Sequence, residues 1–128
     1  MTREQAVREI SMTLGDEAFE WGSMDCCQIA RHLYILLHGE DPASHLQYDS
    51  EASALEIINQ HGDLRGLLTS ILGQPIEVSE TQTADVLRLK LPHVGEIIGI
   101  RVPDGALVPV SRGFHKAQLR HAIEGWRI

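Results

Sequence analysis

Cysteine is scarce in this sequence: there are two among 128 residues, and they are neighbours, Cys26 and Cys27. Successive helical residues point about 100° apart, so a disulfide between them is geometrically poor. A disulfide framework is therefore not expected, nor is a cysteine-rich zinc site, which needs more ligands at other spacings. Aromatic residues are few as well, with Phe, Trp and Tyr at 2 each. No basic patch interleaves with them as a nucleic-acid surface would require. Lys and Arg number 11 against 18 Asp and Glu, a formal charge of -7, which disfavours nonspecific attraction to nucleic acid or anionic lipid. Long apolar runs are also missing. No stretch approaches the roughly 20 apolar residues of a membrane span. Met1-Thr2-Arg3-Glu4-Gln5 leads into an amphipathic pattern, without the apolar centre of a signal peptide. Synthesis in the cytosol without an export signal is the expectation.

What is present is the composition of one folded domain, residues 1–128, with 43% hydrophobic and 23% charged residues. Thr2 and Gln5 form a capping box ahead of Ala6, Ile10 and Leu14 at helical spacing, and Gly15 ends that helix. Asp25 with Gln28 opens a second helix carrying Ile29, Leu33, Ile35, Leu36 and Leu37, with Gly39 as its C-cap. Its apolar residues run nearly all round, which predicts a central, buried helix. Ser50 caps a third helix ending at Gly62, and Asp63 a short fourth from Leu64 to Leu72. The pattern then changes to strands over 75–78, 85–91, 97–102 and 106–110, with a tight turn at Pro103-Asp104-Gly105 and a closing strand near 122–128. Helices first and antiparallel strands second predict an α+β fold, with helices packed on a small antiparallel sheet.

The stretch Trp21-Gly22-Ser23-Met24-Asp25-Cys26-Cys27-Gln28 carries the chemistry. It sets a thiol at a helix start, where the helix dipole and free backbone N–H groups lower its pKa. Gly22, Asp25-Cys26, Asp85-Val86, the strand–turn–strand Ile97 to Ser111 and the terminal Gly125-Trp126-Arg127-Ile128 together resemble NlpC-type papain-like cell-wall peptidases. They are most similar to a divergent branch encoded among the tail genes of tailed phages, and the resemblance spans about residues 15–128. It implies a papain-like (NlpC-type) core with Cys26 as nucleophile. In that family the base is a histidine heading a His-Val-Gly-Ile strand, and Ile97 stands at the corresponding position. The orienting residue on the next strand falls near Pro109, which has no side-chain hydrogen-bonding group.

His93, in His93-Val94-Gly95, is the candidate replacement base, displaced four residues upstream. His115 and His121 are weaker candidates, and His32, His38, His45 and His61 have no ligand spacing. Asp16-Glu17 and Glu40-Asp41 fit no calcium loop, and the glycines form no phosphate cradle, so no cofactor and no metal are expected. With its base and orienter replaced, the resemblance implies a phage tail tip or baseplate component, hub-associated and structural, located in the virion tail. Its expected partners are other tail or hub proteins. The alternative is an active cysteine peptidase or amidase cleaving peptidoglycan peptides, with Cys26 and His93 as its catalytic pair. A small acidic inhibitor of a basic enzyme is a third reading, resting on net charge alone.

Overall fold

The computed structural model describes residues 1–128. Helix α1 spans Arg3–Leu14, α2 Cys26–His38, α3 Glu51–Gln60 and α4 Leu64–Leu72. Strands β1 Val86–Leu91, β2 Gly95–Val102, β3 Gly105–Pro109, β4 Phe114–Ala117 and β5 Ala122–Trp126 follow. The helix boundaries follow local chemistry. Thr2 and Gln5 form the reciprocal capping box, and the side chains of Asp25, Ser50 and Asp63 each cap a first turn. Gly39 closes α2 in the left-handed conformation at φ 75.

The five strands form one sheet in the order β4-β3-β2-β1-β5, and every neighbouring pair is antiparallel. Alternation along the strands sends side chains to two apolar clusters. Val86, Ile98, Ile100 and Trp126 join Ala6, Ile10, Ile29, Leu33 and Leu68 of the helices. Leu87, Leu89, Ala106, Val108 and Ala117 pack together on the other face. The fold is α+β, as the order of sequence patterns implies.

Three expectations change. Residues 75–78 are not a strand: Ile76 makes a single bridge to Gly125, and a 3-10 turn at Val78–Glu80 follows at once. Pro75 lacks the N–H that would extend the pairing. Strand β4 was not foreseen, because Phe114-His115-Lys116-Ala117 on the sheet edge exposes its two central residues and shows no clear alternation. Helix α2 packs against α1 and β2 but is not buried all round; only Gln28, Ile29 and Leu33 are fully covered. Its remaining face borders a cavity.

Candidate functional site

The site begins with Asp25. This carboxylate is 1% exposed and accepts three hydrogen bonds: from the Gly22 amide at 2.8 Å, the Gln28 amide at 3.0 Å and the Tyr48 hydroxyl at 2.7 Å. Asp25 thereby fixes the start of α2, the loop before it and the loop carrying Tyr48. Gly22 is required for that approach. Its φ is +89, and a Cβ there would lie 2.2 Å from the Tyr48 carbonyl oxygen.

Cys26 and Cys27 are both free and half-buried. A hydrogen bond from the Cys27 thiol is the leading influence holding the Cys26 pKa below its ordinary value, with backbone hydrogen bonds from Ile98 and Cys27 adding to it. Burial and the charge of Asp25 oppose this and are outweighed. The same thiol–thiol bond, then burial and the nearby charges, push Cys27 well above the ordinary value. The two neighbouring thiols are thus shifted in opposite directions, Cys26 downward and Cys27 upward. Burial, the Cys27 charge and the bond to Asp25 also push the Tyr48 hydroxyl strongly upward, so it remains a donor.

Cys26 opens into a cavity of about 810 Å³ bounded by α2, α3, α4 and β2. Hydrophobic residues make up 24 of the 32 that line it, so its walls resemble a ligand or peptide site more than a polar hydrolytic cleft. Ile97 and Pro109 are both among its lining residues. Ile97 pairs with Leu89 and packs with the cluster on the far face of the sheet. Its neighbour Ile98 belongs to the buried cluster that includes Ile29 and Leu33 of α2, and its backbone contributes to lowering the Cys26 pKa.

None of the seven histidines lines the cavity. His93 is exposed in the turn between β1 and β2, at φ 66, one residue before Val94, which does reach the cavity. His115 is exposed on edge strand β4, and His121 ends the 3-10 turn Leu119–His121. His32, His38 and His45 are exposed, and the His61 ring nitrogen pairs with the Ile57 carbonyl at 2.9 Å. The structure therefore brings Cys26, Cys27, Tyr48 and Asp25 together and leaves His93 outside the cavity wall. No group of three or more His, Cys, Asp or Glu could hold a metal ion, and no helix is long and apolar enough to cross a membrane.

Sequence reasoning missed three contributors: Tyr48, Ile98 and the donor role of Cys27. Tyr48 lies in a loop with no motif around it, and Ile98 acts through its backbone, which any residue but proline offers. Only the adjacency of Cys27 to Cys26 was a usable signal.

A five-stranded antiparallel sheet packed on a helix that begins with a capped cysteine defines the papain-like fold of the NlpC type. Among solved structures, the NlpC/p60 domain of the peptidoglycan hydrolase SagA is similar across 100% of both chains, with a TM-score of 0.64 and 16% identity. No curated protein matches the sequence. The family described as Domain of unknown function (DUF6950) matches residues 2–128, and the chain belongs to that family.

Proposed function

We propose that the chain is a structural component of a phage tail tip or baseplate, associated with the hub, that keeps an NlpC-like fold without working peptidase machinery. The observation that carries this reading is the cavity wall, where Cys26 is present and no imidazole is. Peptide hydrolysis by a thiol needs a general base within about 3 Å to manage the proton and later activate water. Ile97 and Pro109 offer no such group. The phage setting is supported by the sequence resemblance, chiefly Asp25-Cys26, Asp85-Val86 and the terminal Gly125-Trp126-Arg127-Ile128. Placement in the virion and contact with tail or hub proteins belong to the same reading. Co-expression with hub and tail-tip proteins, followed by co-purification, tests it; a chain that elutes alone from every such mixture overturns it.

A second reading is favoured by the lowered pKa of Cys26. The domain would be a cysteine peptidase or amidase that cuts peptidoglycan peptides as the phage crosses the cell wall. Cys26 would attack the carbonyl and His93 would act as base after rearrangement of its turn. Release of soluble muropeptides by the purified chain, lost in both Cys26→Ala and His93→Ala, supports this reading. Absence of release from the wild-type chain rejects it.

A further inference from the structure

Seven large hydrophobic side chains are well exposed, and four of them, Trp21, Leu55, Val94 and Val110, stand on the wall of the Cys26 cavity. Inside, Ile58, Leu67, Leu68 and Ile71 continue the apolar surface between α3 and α4. The volume of about 810 Å³ falls within the range of small-molecule sites. Charge in the cavity is sparse and of one kind at its edge. Glu51 is an exposed carboxylate, Glu96 is held by Arg88, and the single lining cation, Arg31, is already held by both oxygens of Asp41. A ligand with a free carboxylate or phosphate inside the cavity would meet no available cation. A neutral apolar chain fits, and the Cys26 and Cys27 thiols stand on the wall beside it, Cys26 at the first turn of α2.

We infer that Cys26 carries a long-chain fatty acyl group as a thioester, with the chain lying in the apolar cavity between α2, α3 and α4. The inference rests on the reading above that no histidine serves Cys26 as a base. The donor is a fatty acyl thioester. The Cys26 sulfur attacks the donor's carbonyl carbon, and a new C–S bond forms. The intermediate's oxyanion lies at the first turn of α2, where the Cys26 N–H has no partner within the helix. The donor's C–S bond then breaks, and its departing thiolate takes a proton from solvent to replace the one Cys26 gave up. No oxidation or reduction is involved. Attack on a thioester with a thiolate leaving group needs no proton delivered to the leaving group, unlike attack on an amide. Hydrolysis of the product needs an activated water, and the cavity has no imidazole to activate one. The same deficiency that disables a peptidase therefore makes the acyl group long-lived.

The test is incubation of the purified chain with palmitoyl-coenzyme A, read by intact mass and peptide mapping. The expected result is the addition of one palmitoyl group on the peptide containing Cys26, removed by neutral hydroxylamine and absent in Cys26→Ala. Palmitoyl donors should outpace acetyl donors by on the order of a hundredfold, because only the long chain gains from the apolar walls. Ala54→Trp, which fills the cavity from α3, should shift the preference to shorter acyl chains while iodoacetamide still alkylates Cys26 at the wild-type rate. Equal rates for palmitoyl and acetyl donors would overturn the inference. So would equal acylation of the folded and urea-unfolded chain, or no acylation of a Cys26 that iodoacetamide still modifies. Any of these leaves the hub-binding reading standing, since co-purification tests that separately. Muropeptide release by the wild-type chain would instead remove the premise that no base is present.

Discussion

Cys26 and Cys27 show how two identical side chains one residue apart take opposite chemical roles. The Cys27 thiol, then the backbone at Ile98 and Cys27, lower the Cys26 pKa, while Cys27 itself is raised. Replacing the donor should be visible in reactivity. In Cys27→Ala, the pH midpoint for iodoacetamide alkylation of Cys26 should move upward, toward the ordinary thiol value of 9.0. An unmoved midpoint would assign the effect to the backbone donors alone. At this scale the thiol at the helix start was legible in the sequence, because Asp25-Cys26 combines a capping residue with a cysteine at the first helical position. The apolar character of two lining positions was legible too, from Ile97 and Pro109. Tyr48 and Ile98 were not, since one arrives through a loop and the other through its main chain. Long-range packing alone brings Tyr48 to Asp25 and Ile98 to the cavity wall.

The helices were readable because each starts with an oxygen-bearing cap and ends near a glycine, so local hydrogen bonding decides their limits. Edge elements were harder. Strand β4 owes its conformation to its pairing with β3, with Ala106 opposite Ala117 and Val108 opposite His115, and its own residues say little. The turn between β1 and β2 holds a further lesson. His93 adopts φ 66, a conformation that costs most residues free energy and that glycine adopts freely. His93→Gly should therefore stabilise the domain by about 0.5–1 kcal/mol, measured as a higher urea midpoint. A decrease in the midpoint would mean that the imidazole contributes to folding after all.

Across the sheet, Arg88 of β1 bridges Glu96 of β2 and Glu124 of β5, and Arg65 of α4 donates to Glu124 at 3.0 Å. Burial pushes the Glu124 carboxyl up, but the hydrogen bonds from Arg65 and Arg88 outweigh it and hold its pKa below the ordinary 4.5. A depressed carboxyl adds stability that is fully present above pH 4.5 and is lost as pH falls through its lower folded value. Stability of Glu124→Gln should accordingly fall less steeply than wild type below pH 4.5, in urea titrations at a series of pH values. Parallel acid limbs would contradict it.

At the scale of the whole molecule, one guanidinium joins the first helix to the last residue. Arg3 donates to the Asp85 carboxylate at 2.8 Å, to the Thr83 carbonyl at 3.0 Å and to the Ile128 carbonyl at 2.7 Å. Asp85 is fully buried and also accepts from the Gln82 and Ile128 amides. Arg3→Ala would leave that carboxylate without its counter-charge and should cost about 2–4 kcal/mol, measured by urea unfolding. A cost near zero would mean that the backbone donors suffice. None of this was legible in the sequence, where Arg3 reads as a first-turn surface residue. Its three acceptors lie more than 79 positions away, the nearest separation being 80.

The clasp has a topological consequence. Because Arg3 touches Ile128, the start of α1 and the segment that follows β5 lie within about one arginine side chain of each other. A short linker could join them, and new ends could be opened in the exposed Pro103-Asp104 turn between β2 and β3 without cutting through the sheet. The domain is in that sense a bead on a string: it could be inserted within a host chain and occupy a single point along it.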